Sequence, residues 1–333
     1  MPRVINKDIL EIGDIILTTT TKLDSKAVRL FTNSDISHAL IYVAHGSVID
    51  STSKGVHARN VDKLIYDDEC NIYVMRSLTP LTHEQKTNMG FYLRSIIGTG
   101  YTKVGLIGTV SPIKFKNSDY QFCSRLAARA YEGIGILISD DPSHCTPDNI
   151  KNSPQLYSVK NPWIEITDDE KKEIEAYGSS LDGMHDCINK LIKKARRISP
   201  TSSIKNINDI FTTLIKKQNL DNQFSKAFIE SGFLDYWEVD VKAYPWRYDK
   251  KLFNEKYRED PDGLIHHCQR VIFEHNERTF EHWYITYNTF KYLSHKYKLI
   301  TFQQNAKLYN TLCSMNNKRV ELAKELLNRQ QLL

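Results

Sequence analysis

The sequence predicts an α+β domain followed by an all-helical domain, and three observations lead there. The first part of the chain alternates short β-rich runs with turn residues and a few helical segments. From about residue 168 onward, apolar residues recur at three-to-four spacing and no strand pattern returns. A length of 333 residues exceeds one ordinary core and suits two. We place the domains at residues 1–165 and 166–333, with the boundary around Asn161, Pro162 and Trp163.

In order along the chain, residues 12–19 read as a strand after the turn at Gly13 and Asp14. Residues 39–43 and 47–50 flank Ala44, His45 and Gly46 and read as a hairpin, and residues 71–75 as a further strand. Residues 82–97 read as a helix opened by a cap-like Thr82 with Gln85 three positions on, and residues 123–131 as another. Asp168, Asp169 and Glu170 open a helix, and residues 182–197 form an amphipathic one with a basic end. Residues 207–217, 223–231, 264–293 and 302–327 carry the later helical runs. Residues 235–249, with Trp237, Tyr244, Pro245, Trp246 and Tyr248, read as an irregular aromatic connector. No fixed period repeats, which speaks against a solenoid.

Composition narrows the function classes. Apolar residues at 41% and aromatics at 11% supply a packed interior and exclude wholesale disorder. The net charge of +5 is spread among interleaved acids and bases, with no basic block or aromatic RNA-binding signature, so we expect no nucleic-acid partner. The six cysteines stand singly at 70, 123, 145, 187, 268 and 313, which excludes a zinc ribbon or a thioredoxin motif and suits free thiols in a reducing compartment. The first residues lack the apolar core of a signal peptide, and nowhere do about 18 apolar residues run together. We therefore expect a cytoplasmic protein with no integral membrane segment; export as an effector, by a route that reads no cleavable signal, stays open.

Cys123 is the first candidate for chemistry. Leu126, Ala127 and Ala130 behind it make an apolar stripe at helical spacing, so the cysteine sits at a helix N-terminus, where free amides and the macrodipole favour a thiolate. A lone cysteine is more often a small buried residue, so its context has to decide. His38 supplies that context at the head of the strand Ser37-His38-Ala39-Leu40-Ile41-Tyr42-Val43. With a three-residue hairpin loop at Ala44, His45 and Gly46, Val43 pairs with Ser47 and Leu40 faces Asp50. Asp50 then shares a sheet face with His38, one diagonal pair away, and can orient its imidazole. A two-residue loop would shift the parity and turn Asp50 away. Thiolate, imidazole and orienting carboxylate form a nucleophile–base unit.

The same residues carry a resemblance. Gly13-Asp14-Ile15-Ile16, Ser37 to Val43, Val48-Ile49-Asp50-Ser51 and Gly55-Val56 are similar to the front half of permuted papain-like NlpC/P60 proteins. Within that group they most resemble the YiiX/YebB-like permuted amidases, relatives of the lecithin:retinol acyltransferase group. Phe122-Cys123-Ser124-Arg125-Leu126-Ala127-Ala128-Arg129-Ala130-Tyr131 is similar to the cysteine segment of that group, and Thr146-Pro147-Asp148-Asn149-Ile150 with Ser153-Pro154 to its closing turn. The resemblance covers residues 10 to 160 and implies Cys123 as nucleophile, His38 as base and Asp50 as the third polar residue. Arg125 departs from the acidic residue common after Cys-Ser, and Asp50 stands where relatives often carry Glu or His. The histidine preceding the cysteine is what the permutation implies.

The expectation is a cysteine amidase or peptidase acting through a thioester, with no metal or organic cofactor, on a peptide, peptidoglycan or protein-conjugate substrate. A thioester-forming acyltransferase or phospholipase acting on lipids, and a non-catalytic binding module, are the alternatives. The helical domain would serve recognition, regulation or docking of a protein partner. Other residues carry less. Asp14 suits a turn, Tyr42 suits core packing over binding an oxyanion, and the basic run at residues 190–197 suits a solvated helix face. His266, His267, Glu274 and His275 invite a metal reading, but no i, i+4 histidine pair forms on a helix, so a structural role is preferred.

Overall fold

Alternating β-branched residues and turn-forming glycines and asparagines set the architecture of the N-terminal region. The computed structural model describes residues 1–19, 36–100, 123–177 and 180–330. Its described strands are β1 (Arg3–Ile5), β2 (Ile15–Thr18), β3 (His38–Ala44), β4 (Ser47–Thr52), β5 (Gly55–Asn60), β6 (Ile65–Tyr66), β7 (Ile72–Ser77), β8 (Leu156–Ser158) and β9 (Trp163–Glu165). Six of them form an antiparallel sheet in the order β5-β4-β3-β2-β7-β8, and β6-β1-β9 make a second, small sheet. Helices α1 (His83–Ser95), α2 (Cys123–Glu132), α3 (Pro147–Lys151) and α4 (Asp168–Tyr177) complete the region.

The period of two sorts side chains to the two faces of the large sheet. Ile15, Leu17, Ala39, Ile41, Val43, Ile49 and Met75 share a core with Met89 and Leu93 of α1 and with Leu126, Ala127, Ala130 and Tyr131 of α2. Ile16, Leu40, Tyr42, Val48 and Val74 belong to a second core with Ile5 of β1 and Tyr66 of β6. His38 and Asp50 have the parity of this second face. The small residues Ala127, Ala128 and Ala130 let α2 lie close across β3 and β4. Tyr131 at its far end donates a 2.8 Å hydrogen bond to the carbonyl of Gly13, tying the helix to the turn that starts β2.

The hairpin that carries the proposed site differs from the expected three-residue loop, and the difference cancels. His45 (φ 54°) and Gly46 (φ 67°) form a two-residue turn, and Ala44 pairs with Ser47. The register then shifts between Tyr42 and Ala44, leaving Val43 as the extra residue of a β-bulge, so that Tyr42 pairs with Val48 and Leu40 with Asp50. One extra residue offsets the parity change of the shorter loop. Asp50 therefore keeps the face predicted for it.

The other early elements follow their local signals. Thr82 accepts the amide of Gln85 while the Gln85 side chain accepts the amide of Thr82, the reciprocal cap read from the sequence. Asp14 is sealed in its turn, where it accepts the amide of Glu11 and takes two hydrogen bonds from Arg76 of β7, at 2.7 and 2.8 Å. Burial raises the carboxyl of Asp14 against the pull of Arg76. Tyr42 packs in the second core, and its hydroxyl accepts the amide of Gly46.

The chain divides into two compact units, Met1–His185 with Lys205–Ile207, and Asp186–Ile204 with Asn208–Leu333. The division falls within α5 (Ser180–Ile198). Its described continuation is helical: α6 (Ile207–Lys216), α7 (Asp221–Ser231), α8 (Trp237–Ala243), α9 (Lys250–Lys256), α10 (Pro261–Asn276), α11 (Glu281–Tyr297) and α12 (Ile300–Gln330). Phe224, Phe228 and Phe302 are fully buried, and Asp221 caps α12 by accepting the amides of Ile300 and Thr301. Two sequence readings need correction here. The run at residues 264–293 is two helices, because Arg278 adopts a left-handed conformation (φ 54°) and the Thr279 amide turns back to Glu274. The connector at residues 235–249 contains α8, held by the Glu238–Lys242 pair and by Arg247 and Tyr248 bonding Asp240. Among the described residues no helix is long and apolar enough to cross a membrane.

Gly55 fixes the start of β5. Its φ is +95°, a Cβ built there would come 2.6 Å from the carbonyl oxygen of Thr99, and Val56 exchanges backbone hydrogen bonds with Gly98 and Thr99. Gly55→Ala should therefore destabilise the N-terminal unit by about 1–3 kcal/mol. Chemical denaturation followed by tryptophan and tyrosine fluorescence reads this; an unchanged midpoint would show that the strain is relieved elsewhere.

Candidate active site

Cys123 is the first described residue of α2 and is nearly sealed. Behind it, the Ser124 hydroxyl donates 2.7 Å to the carbonyl of Cys145 and pins the helix head. Residues 117–122, which lead into the cysteine motif, lie outside the described residues.

His38 opens β3 opposite Thr18 of β2, with its neighbour Ser37 donating its amide to the Thr18 carbonyl. Standing at the end of its strand, it is 18% exposed, while Asp50 across the hairpin is 0% exposed. The His38 Nε2 lies 2.8 Å from Oδ2 of Asp50. That leaves Nδ1 as the nitrogen able to meet the Cys123 thiol, which acts on the ring through its charge and its capacity to hydrogen-bond. Helix head and strand head, approaching from the two layers, thus bring together the three residues singled out in the sequence.

Burial opposes a charge on His38. The charge and hydrogen bond of Cys123, together with those of Asp50, outweigh it and raise the ring's pKa to about 10. The arrangement favours an imidazolium at neutral pH. Burial likewise opposes ionisation of Asp50, yet the bond and charge of His38, then the charges of His57 and Arg59, hold its carboxyl below the usual carboxylate range. Cys145 behaves differently, since burial pushes its thiol up to about 12.

Two residues of β5 were not picked out from the sequence. Arg59 donates from Nη1 to Oδ2 of Asp50 at 3.2 Å, and Nδ1 of His57 lies 3.5 Å from Oδ1. His57 Nδ1 is also 3.0 Å from the carbonyl of Gly55, a proton acceptor only, so that nitrogen carries the hydrogen. The ring of His57 sits 4.8 Å from that of His185. The signal was present: His57 and Arg59 alternate with the apolar Val56 and Ala58, which places both on one face of a strand directly after the Gly55 turn.

His267 and Glu274, which invited a metal reading, lie in other surroundings. His267 packs edge-on against Trp246 and Phe253, and burial followed by the charges of Arg319, Arg247 and Arg270 lowers its pKa to about 4. Glu274 pairs with Arg270. Among the described residues no three His, Cys, Asp or Glu side chains come together as metal ligands.

Known proteins match this same region. Residues 9–158 match a family described as permuted papain-like amidase enzyme, YaeF/YiiX, C92 family. A probable lipoprotein peptidase YaeF of Escherichia coli (strain K12) is 26% identical over 98 residues, which are 29% of this chain and 35% of that protein. The chain therefore aligns with about a third of the length of this curated relative. A crystal structure of the metalloprotein yiiX from Escherichia coli O157:H7 overlaps 45% of this chain and 96% of its own, at 19% identity and a TM-score of 0.29. Residues 9–158 are thus similar to the permuted papain-like amidases of the YaeF/YiiX type, a narrower group than the NlpC/P60 name suggested by the motifs.

Proposed function

We propose that the domain is a cysteine hydrolase in which Cys123 attacks the carbonyl carbon of an amide, peptide or isopeptide bond. The observation that carries this reading is the chain of contacts from the Cys123 thiol through His38 to the sealed carboxylate of Asp50. The thiolate adds to the carbonyl, and the amide of Cys123 helps hold the oxyanion at the helix head. The His38 imidazolium gives its proton to the leaving amine, which departs and leaves a thioester. Neutral His38 then takes a proton from water, whose oxygen attacks the thioester and frees the acid and the thiolate. Asp50 fixes the ring and stabilises its cation. Peptides, peptidoglycan peptides and protein conjugates are the substrate classes we assign, with the helical unit as the element that recognises substrate or partner.

Turnover against these three classes, with lipid esters as the contrasting arm, tests the reading. Cys123→Ala and His38→Ala should each lower it by about a thousandfold or more, without adding in the double variant, since nucleophile and base act as a unit. Asp50→Asn should be milder, because an amide can still hold the ring. His38→Ala also leaves the sealed charge of Asp50 with one cation fewer and should lower the melting temperature, so its turnover is compared per folded molecule. Full turnover in Cys123→Ala would exclude the thioester route. In brief iodoacetamide labelling near neutral pH, Cys123 should react first among the six cysteines and Cys145 should stay unmodified.

The raised pKa of His38 also makes stability depend on pH. The folded state holds the ring proton to about pH 10, whereas the unfolded chain releases it near 6.5. The resulting stability is fully present below about 6.5 and is lost as pH rises through about 10. Wild-type denaturation midpoints should fall toward those of His38→Gln across this window. Parallel curves for the two proteins would contradict the assignment.

A further inference from the structure

Asp50 is a carboxylate with no access to water and an unequal share of partners. Its Oδ2 receives both His38 and Arg59, while among the described residues its Oδ1 accepts no hydrogen bond. His57 stands 3.5 Å from Oδ1 but directs its Nδ1 proton to Gly55. A sealed carboxylate bonded on one side only depends for its charge on the cations at that side. The groups facing it are His38 from β3, His57 and Arg59 from β5, and the buried phenol of Tyr66 from β6, which interacts with both Asp50 and Arg59. Of these, Arg59 alone carries a charge that no proton transfer during turnover changes.

We propose that Arg59 is a positioning residue for the thiol chemistry: pairing with Asp50, it completes an alternating chain of charges, Cys123–His38–Asp50–Arg59, and keeps the carboxylate neutralised and turned toward His38. This rests on the reading of Cys123 and His38 given above. The charges of thiolate, imidazolium, carboxylate and guanidinium sum to zero, with the carboxylate among them closed to water. Without the guanidinium the site carries a surplus negative charge whenever the thiolate forms. Removing a fixed cation makes every proton in the chain harder to lose. At a separation of about 10 Å and an effective dielectric near 20, the effect on the thiol is about one pH unit. Arg59 suits the task because it lies on β5, the edge strand, opposite Val48, with its side chain 33% exposed. Its loss leaves no cavity in the core.

Iodoacetamide labelling of the full chain, quantified at Cys123 by mass spectrometry across pH, tests the proposal without a known substrate. Arg59→Met should move the acid limb of the rate profile upward by about one pH unit, while Arg59→Lys, which keeps the charge, should stay within about 0.3 unit of wild type. Thermal melts by circular dichroism establish that each variant is folded, and Arg59→Gln is the second neutral variant should Arg59→Met fail to fold. A structural role alone would lower the melting temperature of the neutral variants and leave the profile in place. His38→Ala separates the two ideas. If it shifts the profile while the neutral Arg59 variants coincide with wild type, the role of Arg59 is overturned. If His38→Ala itself leaves the profile unchanged, the pairing of Cys123 with His38 fails and the inference falls with it.

Discussion

The 2.8 Å contact between His38 and Asp50 is the constraint around which the N-terminal domain is arranged. A carboxylate with no exposure to water is costly unless cations meet it, and three basic side chains on two strands converge on this one. That convergence needs the correct register twice, between β3 and β4 and again between β4 and β5. A slip of one residue in either pairing would turn Asp50 into the apolar face beneath α2, or turn its partners away from it. The hydrophobic alternation of Leu40, Tyr42 and Val48 against Ala39, Ile41 and Ile49 opposes such slips. Core packing and the candidate site thus specify the same register.

The proposed nucleophile, Cys123, is delivered by a different device. Small residues on α2 allow the helix to lie close over β3 and β4, and the buried bond from Tyr131 to Gly13 sets its far end. The turn containing Gly13 is in turn held by Asp14, which Arg76 clamps to β7. A rigid helix fixed at one end and pinned at Ser124 near the other has little freedom to withdraw Cys123 from His38. His38 and Asp50 sit on strands and Cys123 on a helix, where precision is easier to maintain than on a loop.

How much of this was legible depended on the range of the signal. Local signals read well: the Thr82 cap with Gln85, the apolar stripe behind Cys123, and the strand parity that links His38 to Asp50. Signals needing backbone detail did not. No residue type announced that Val43 would bulge, and the two-residue turn with Ala44 at φ 93° could not be told from a three-residue loop. The break at Arg278 was hidden because apolar spacing continues on both sides of it. His57 and Arg59 were missed because they follow the known-looking Gly55-Val56 pair, and their value appears only once β5 is laid beside β4. Where a residue's role comes from the strand opposite, its own neighbours in sequence say little.

The chain order of the site follows from the same physics. The proposed chemistry requires a thiol, an imidazole and a carboxylate at fixed distances, and says nothing about which comes first along the polypeptide. A strand head and a helix head meeting at one end of a sheet satisfy it in either order. With the histidine first, His38, Asp50 and Arg59 all lie within one antiparallel run, β3 to β5, separated only by tight turns at Gly46 and Gly55. The charged half of the site is therefore assembled by local pairing, and only Cys123 has to be brought from far along the chain. The apolar face of α2 supplies that long-range step. Burial of Leu126, Ala127 and Ala130 against Ile41 and Ile49 places the helix, and the thiol then meets an imidazole whose orientation the hairpin has already set.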